Sequence, residues 1–416
     1  MPHPRLRLAG LALTGLALTS TLAACGSDDE GSTGDSSSKQ YVFWDPYPQF
    51  DGSSDWVKLI ESCGKSAGAT VKRSGFDTSD LTSKTLLAAQ QGNAPDVIVI
   101  DNPVISTLAD AGVLTTTDEL GLDTATFAAN LTAAGVLDGK TYGVPIGANT
   151  LALYYNADLL KQAGVDAASI TDWDSLNAAL AKLKANGSKG ITFSGIGTEE
   201  GSFQFLPWFW GSGADLKDLA SADAVSAVQL WVDWMKQGYA PNSVINNTQT
   251  TAWQEFSAGD FGFVENGTWQ MGNAEELPFE YGVISIPAKD GGAAPAPTGG
   301  EFVAAPVQDD ADRYTTTTKI VDCLTSPDNL LTTDTTLSYI APIDSVQQQQ
   351  VADDPKLEPW ATAVGDAKGR TSDNLGTSYP IISEQMWDAF QKAMTGSASA
   401  EAAMKTAQDA AAAKVK

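Results

Sequence analysis

The segment DGKTYGVPIGANTLALYYNADLL, residues 138–160, carries four different structural signals within a short length. Asp138-Gly139 favours a turn, and the residues through Pro145 favour an extended piece. The next residues alternate as in a β-strand, and the last ones are typical of a helix. The segment therefore opens a second structural unit, and the rest of the chain can be interpreted outward from it.

The residues before this segment alternate between predicted strands and helices. YVFW at 41–44 predicts a buried strand, residues 55–67 a helix with one apolar face, and DVIVID at 96–101 another apolar strand. This alternation favours a mostly parallel sheet with helices on both faces, an α/β architecture. Ligands of such sheets bind beyond the carboxyl ends of the strands. The residues at two such ends are therefore candidates for ligand binding: Trp44, Asp45, Tyr47, Asp101 and Asn102.

The first residues of the chain have the composition of a bacterial secretion signal. Arg5 and Arg7 form a basic start, and the apolar core that follows is too short to span a bilayer. Leu22-Ala23-Ala24-Cys25 then resembles a lipobox, where a diacylglyceryl group is attached to the cysteine sulfur. We expect a signal peptide over residues 1–24, lipidation of Cys25 with palmitate among its acyl chains, and a flexible tether over residues 25–39. The alternative is an ordinary signal followed by a buried cysteine.

The composition disfavours several classes of function. The net charge of −26 disfavours nucleic acid and anionic partners. The single histidine, His3, lies in the predicted signal peptide, so histidine-dependent catalysis and histidine-containing zinc sites are excluded from the mature chain. Only Arg73, Arg313 and Arg370 follow that peptide, and arginine is the preferred partner of carboxylate and phosphate groups. An anionic ligand is therefore disfavoured, and no cofactor, metal or catalytic residue is predicted.

Two cysteines remain after Cys25, namely Cys63 and Cys323. In an oxidising compartment they could form one long-range disulfide. The bond requires Cα atoms within about 7 Å of each other, which sequence cannot show. Two buried thiols are the alternative, and the role is structural in both cases.

Six stretches resemble, in order, elements of the extracellular solute-binding proteins of sugar-importing ABC transporters, the family that includes maltose-binding protein. One of them departs from the family pattern, because Gly262-Phe263 replaces its usual alanine-methionine. Together they cover most of residues 40–410. The six are NAPDVIVID at 93–101, the crossing segment at 138–160, FSAGDFGFVENGTW at 256–269, PTGGEFVAAP at 297–306, IVDCLTSPDN at 320–329 and MWDAFQKAMTGSASAEAAMKTAQ at 386–408.

The resemblance implies a two-lobed, type II periplasmic-binding-protein-like fold with a ligand cleft between the lobes. Lobe one would comprise residues 40–146 and 301–340, and lobe two residues 147–298 and 341–412. Both cysteines then fall in lobe one, which supports the disulfide. The implied partners are a carbohydrate ligand and the membrane permease of an ABC importer with its cytoplasmic ATPase, and the protein itself would be a monomer at the outer face of the cytoplasmic membrane.

The resemblance also implies which residues meet the ligand. Trp269 matches the family's stacking tryptophan, and Asn149 matches a polar, ligand-facing position in the crossing segment. Gly300 and Glu301 lie at the return crossing. Each of these residues has an alternative role in the core or in a turn, which the sequence leaves open.

Other aromatic and acidic residues are weaker candidates for the cleft. The run FQFLPWFW at 203–210 offers Trp208 and Trp210, although such clusters are more often core. Trp387 would face the ligand from a closing helix or be buried with its helical neighbours. GIGTEE at 195–200 lacks the third glycine of a phosphate-binding loop, but its Glu199 and Glu200 could still reach the cleft.

Three functions are compatible with these observations. The leading one is a binding protein, not an enzyme, that captures a neutral mono- or oligosaccharide and delivers it to the permease. The second is a binding protein for a polyamine or quaternary ammonium compound, which carboxylates and tryptophans would hold. The third is a glycosidase that uses two carboxylates, although no carboxylate pair stands out.

Overall fold

The computed structural model describes residues 40–415, without the side chain of Ser79. The predicted signal peptide, Cys25 and the predicted tether lie outside the described residues. The strands are β1 (Gln40–Asp45), β2 (Thr70–Gly75), β3 (Val97–Asp101), β4 (Val136–Leu137), β5 (Lys140–Thr141), β6 (Val144–Pro145), β7 (Leu151–Asn156), β8 (Lys189–Thr192), β9 (Phe261–Gly267), β10 (Tyr281–Ile284) and β11 (Glu301–Ala304).

The α-helices alternate with these strands and then dominate the last quarter of the chain. Within residues 40–415, none of them is both long and apolar enough to cross a membrane. They are α1 (Asp55–Ser66), α2 (Thr78–Gln90), α3 (Val104–Asp110), α4 (Thr117–Leu120), α5 (Ala129–Thr132), α6 (Ala157–Gln162), α7 (Trp173–Ala185), α8 (Glu199–Gly211), α9 (Ala222–Gln237), α10 (Gln249–Ser257), α11 (Met271–Ala274), α12 (Tyr314–Leu324), α13 (Pro327–Leu337), α14 (Asp344–Asp353), α15 (Glu358–Gly365), α16 (Tyr379–Met394) and α17 (Ala400–Lys414).

The first sheet has the strand order β2-β1-β3-β11-β6. Alternate residues of β3 point to opposite faces, as the pleat requires. Val97 and Val99 pack with residues of α1, α12 and α13, whereas Ile98 and Ile100 pack with residues of α2 and α3. An apolar strand covered on both faces is what the uninterrupted sequence VIVI predicts. We call this sheet and its helices lobe one.

The second sheet has the order β10-β7-β9-β8, and with its helices it forms lobe two. One face packs against α7, α8, α9, α16 and α17 in a core rich in tryptophan and phenylalanine. The other face carries Tyr154, which packs against Trp253 and Trp360. Both faces are again covered, as in lobe one.

Each large sheet contains one strand that runs opposite to its neighbours, β11 in lobe one and β7 in lobe two. Both strands begin where the chain has just crossed from the other lobe, so they run away from the lobe interface. The remaining strands run toward that interface and end there. The predicted α/β fold with two mostly parallel sheets is thereby confirmed.

Extended segments connect the lobes and lie side by side. Asn149 pairs with Gly299, and Ala148 pairs with Ile340. Gly300 has φ +93°, and a Cβ there would lie 2.3 Å from the carbonyl oxygen of Gly147. Glycine is therefore needed at position 300 both for its backbone conformation and for the close approach of the crossing segments.

Cys63 and Cys323 form the disulfide that the sequence left open, with Cα atoms 5.5 Å apart. It joins α1 to α12 on one face of the first sheet. The lobe boundaries as a whole stay a prediction, but one detail differs from it. Ala341 and Val346 were predicted for lobe two but pack in the lobe-one core. The reason is that α14, which follows the last crossing segment, packs against α13 of lobe one.

Candidate functional site

The carboxyl ends of β1 and β3 and the start of β11 meet at the lobe interface. Asp101 is the register partner of Glu301 across β3 and β11. Asp101 shares a face with Val97 and Val99, because side chains two apart on a strand point the same way. Asp101, predicted from its strand end, and Glu301, predicted from the return crossing, are therefore adjacent at this edge.

Arg370 connects this edge to lobe two. Its Nη2 lies 3.1 Å from Asp101 Oδ1, and its Nη1 lies 2.8 Å from Glu199 Oε1. Asp101 ends a lobe-one strand, and Glu199 is the first residue of α8 in lobe two. The segment that carries Arg370 is held at the return crossing, where Lys368 N donates to Ala296 O at 2.8 Å. One guanidinium therefore binds carboxylates of both lobes.

Glu199 has further partners in lobe two. Tyr379 donates its hydroxyl to Glu199 Oε1 at 2.7 Å, and Ser383 donates to Oε2 at 2.5 Å. The position of Glu199 in the first turn of α8 also favours a negative charge, because the unpaired N–H groups there carry partial positive charge. The orientation of the carboxylate is thus fixed.

The electrostatics of Asp101 and Arg370 depend on each other. Burial raises the pKa of Asp101, and the positive charge of Arg370 opposes that effect only in part. Burial lowers the pKa of Arg370, but the charges of Asp101 and Glu199 more than offset it and hold that pKa above its usual value. Arg370 also donates to Asn102 Oδ1 at 3.2 Å and lies 4.9 Å from the ring centroid of Phe203. The guanidinium therefore stays charged although it is buried.

Glu301 belongs to a second polar group at the same edge. Tyr339 donates its hydroxyl to Glu301 Oε2, and the hydroxyls of Tyr339 and Tyr47 are 3.1 Å apart. Burial, and secondly the charge of Asp101, raise the pKa of Glu301 to about 7. Its charge therefore changes in the physiological range of pH.

Three predicted tryptophans are half-buried. The ring of Trp269 lies against the backbone of Gly267, and its centroid is 6.2 Å from that of Phe203. Trp387 packs against the aromatic core of lobe two, and Trp44 packs edge-on against Phe76 in lobe one, with centroids 5.0 Å apart. Trp269 is thus linked to Arg370 through Phe203. Among residues 40–415, no such ring contact links Trp44 or Trp387 to Arg370.

Asn149 lies in the first crossing segment with a half-buried side chain. Its backbone pairs with Gly299, and its Oδ1 lies where a Cβ at position 299 would be placed. Within residues 40–415 its amide group makes no side-chain hydrogen bond. The amide therefore retains its donors and its acceptor for another molecule.

The structure places four other predicted residues in the interior of the protein. Asp45 is 0% exposed, and its oxygens accept from Arg73 Nε at 2.5 Å and Trp56 Nε1 at 3.0 Å. Trp208 is fully buried and donates to Glu265 Oε2 at 2.8 Å. Asn102 donates to the carbonyl of Thr298, and Trp210 is packed in the lobe-two core. In this conformation their polar groups are satisfied or enclosed by the protein, and their role as ligand contacts stays a prediction. Tyr47 is buried too, and its polar contact is with Tyr339.

The sequence did not single out Arg370, Phe203, Tyr339, Tyr379 or Ser383 as site residues. Arg370 lies 269 positions from Asp101 and 171 from Glu199. No local pattern links residues so far apart. The available signal was the scarcity of arginine itself, since a rare charged residue in an acidic chain is expected to be paired.

A groove of about 850 Å³ lies elsewhere, between α13 and α14 of lobe one and β10 of lobe two. It contains none of the twelve predicted ligand residues, although Tyr339 borders it. Its rim is acidic, with Glu280, Asp353, Asp354 and Glu358, and its cation Lys356 is paired with Glu275 at 2.7 Å. Within residues 40–415, no group of three or more His, Cys, Asp or Glu side chains is placed to hold a metal ion. The candidate site is therefore the edge formed by Asp101, Glu199, Glu301, Asn149 and Trp269.

Comparisons with curated proteins show partial relatives. A binding protein of Brucella abortus is 33% identical over 167 residues, which are 38% of this chain and 40% of that protein. The chain thus spans less than half the length of that relative. A maltooligosaccharide ABC transporter solute-binding lipoprotein of Streptococcus pneumoniae is 26% identical over 293 residues, 67% of each chain.

Solved structures share the whole described fold. The cyclic α-maltosyl-1,6-maltose binding protein of Arthrobacter globiformis superimposes with a TM-score of 0.77 at 24% identity, over 90% of this chain and 98% of that one. UgpB of Mycobacterium tuberculosis, solved in complex with glycerophosphocholine, superimposes with a TM-score of 0.75 at 21% identity, over 90% of this chain and 98% of that one. At these identities the likeness shows the fold alone, which is the type II periplasmic-binding-protein fold. The model of the bacterial extracellular solute-binding proteins matches residues 58–359, most of the chain. The chain therefore belongs to the bacterial extracellular solute-binding protein family.

Proposed function

We propose that the protein is the substrate-binding component of an ABC importer and captures a neutral mono- or oligosaccharide between its lobes. The observation that carries the proposal is the group at the lobe interface, where fixed carboxylates of both lobes lie near a half-buried tryptophan. Sugars present hydroxyl donors around a ring with an apolar face, so they suit carboxylate acceptors combined with an aromatic plate. The S. pneumoniae and A. globiformis relatives, whose names state maltooligosaccharide and cyclic maltosyl-maltose ligands, support this ligand class.

The pairing of arginine supports a ligand without negative charge. Arg73 binds Asp45, Arg313 binds Asp96, and Arg370 binds Asp101 and Glu199. All three arginines of the described chain are thus already paired with carboxylates. An anionic ligand would have to compete with those pairs or bind without a bidentate partner.

A cationic ligand is the second candidate. The carboxylates at the interface outnumber Arg370, and the name of the M. tuberculosis neighbour records a ligand that contains choline. Against this candidate, the charge of Arg370 is placed between two of those carboxylates, and Glu301, with a pKa of about 7, is only partly charged at neutral pH. A neutral, hydroxyl-rich ligand therefore remains the preferred class.

The remaining parts of the proposal concern delivery and location. The protein would be a monomer held at the outer face of the membrane by lipid on Cys25, and it would have no catalytic activity. Contacts of one ligand with both lobes would stabilise the closed arrangement relative to the open one. The permease would recognise that closed arrangement and accept the sugar. The name of the S. pneumoniae relative, a solute-binding lipoprotein of an ABC transporter, supports this role.

Isothermal titration of the chain that begins at residue 26 tests the ligand class. We expect saturable binding of one family of neutral sugars at about micromolar Kd or tighter, and no binding of spermidine or choline. Trp269→Ala should weaken sugar binding by about tenfold, or 1.4 kcal/mol, through loss of stacking. Trp253→Ala is the matched control, because Trp253 packs on Tyr154 at the opposite face of the same sheet. Binding of the cations alone would refute the carbohydrate proposal.

A further inference from the structure

Arg370 differs from the other two arginines in what it connects. Arg73 and Arg313 each bind one carboxylate of lobe one, Asp45 and Asp96 respectively. Arg370 binds Asp101 of lobe one and Glu199 of lobe two with different nitrogens of one guanidinium. The planar fork of arginine suits this double contact, which a lysine ammonium could not reproduce.

The exposed fractions of the Arg370, Asp101 and Glu199 side chains show which of them lies deepest in the protein. The side chain of Arg370 is 4% exposed, whereas those of Asp101 and Glu199 are 29% and 42% exposed. The guanidinium therefore lies behind the two carboxylates. A molecule that enters between the lobes meets carboxylate oxygens first and does not reach the cation.

The positive charge behind the carboxylates has two physical consequences. It fixes the direction in which Asp101 and Glu199 present their free lone pairs, so little ordering remains to be done when hydroxyl donors arrive. It also compensates part of their negative charge, and compensation is strong because the guanidinium is desolvated. The same carboxylates without this partner would form an attractive site for an organic cation.

We infer that Arg370 is a positioning residue that sets ligand specificity, because it holds Asp101 and Glu199 as hydroxyl acceptors and prevents them from acting as a cation site. The inference deepens the proposed function and rests on it for the identity of the wild-type ligand. It assigns the choice between neutral and cationic ligands to a residue that does not itself touch the ligand.

The test compares Arg370→Met, Arg370→Lys and the control Arg313→Met in the mature chain. Arg313 is the control because its Nε is 2.5 Å from Asp96 Oδ1, in an arginine–carboxylate pair that belongs to lobe one alone. Each variant is titrated calorimetrically with the wild-type sugar, spermidine and choline at two salt concentrations. Circular dichroism and melting curves establish that each variant is folded.

Arg370→Met is expected to weaken sugar binding at least tenfold and to gain salt-sensitive binding of spermidine or choline. Arg370→Lys is expected to weaken sugar binding without gaining affinity for spermidine or choline, because the positive charge remains but the double contact is lost. Arg313→Met should lose stability and keep the specificity of the wild type. If Arg370→Met does not fold, Arg370→Lys still tests the inference. An unchanged sugar affinity of Arg370→Lys would overturn the positioning role of Arg370.

The outcomes for the inference and for the proposed function are separable. Sugar binding by the wild type with an unchanged ligand profile in Arg370→Met would overturn the inference and leave the proposed function intact. A wild type that binds no sugar, together with a spermidine affinity gained in Arg370→Met, would refute the ligand class and support the charge compensation. Equal losses of sugar affinity in Arg370→Met and Arg313→Met, without cation binding, would show a general structural role and overturn the inference.

Discussion

Glu301→Gln should make the protein more stable at pH 8 than the wild type. The pKa of Glu301 is raised from 4.5 to about 7, mainly by burial. A carboxyl group whose pKa is higher in the folded state than in the unfolded state costs no stability below pH 4.5. Between pH 4.5 and 7 the unfolded chain loses its proton more readily, so the wild type loses stability as the pH rises.

The size of this effect follows from the shift. A difference of about 2.5 pH units at 1.36 kcal/mol per unit gives an upper limit of about 3 kcal/mol. The carboxyl group keeps some contact with water, so we expect about 2 kcal/mol. Glutamine retains a carbonyl oxygen that can accept the hydroxyl of Tyr339, so the hydrogen bond survives while the charge does not.

Urea unfolding of both proteins at several pH values between 4.5 and 8 measures this difference. The free energies of unfolding should coincide near pH 4.5 and diverge progressively up to about pH 8. Asp334 is also buried with a raised pKa, but it is present in both proteins, so its contribution cancels. Parallel curves over the whole range would refute the argument that Glu301 is held in its protonated form.

Three further predictions concern stability. Trp208→Phe should lower the free energy of unfolding by about 1–3 kcal/mol, because the buried Glu265 oxygen at 2.8 Å loses its donor. Ligand affinity should not change, and a tenfold loss of affinity measured by titration would show that Trp208 contacts the ligand. The double variant Cys63→Ser and Cys323→Ser should lose about 2–5 kcal/mol in urea, because the bond closes a loop with a sequence separation of 260; an unchanged midpoint would contradict a stabilising disulfide. Gly300→Ala should destabilise the chain by at least about 1 kcal/mol, since its φ of +93° is strained for alanine; a melting temperature equal to that of the wild type would show that the crossing can adjust.

The small number of arginines bears on the class of ligand in two ways. A small number of arginines in the sequence disfavours an anionic ligand. The structure adds that each remaining arginine is paired, and that one of them lies within the candidate site. Composition thus disfavoured anionic ligands. The effect of Arg370 on the ligand class depends on its position between Asp101 and Glu199.

The strand-end argument predicts only where the backbone places a residue. Asp101 ends β3 and lies at the interface, beside Glu301 at the start of β11. Asp45 also ends a strand, but its side chain is held by Arg73 and Trp56. A strand end determines where a residue lies, but packing determines whether its polar atoms remain available.

The sequence by itself determined the α/β class, because periodicity and turn residues are local properties. Its ordered motifs carried the family resemblance, and that resemblance implied the two-lobed fold. The sequence also narrowed the cysteines to one possible pair. Only the tertiary structure decided that Cys63 and Cys323 are joined, that Trp208 belongs to the core, and that Arg370 binds carboxylates of both lobes. These facts depend on contacts between residues up to 269 positions apart. Such contacts arise from how the packed sheets and crossing segments bring distant side chains together, and no local pattern in the chain records them.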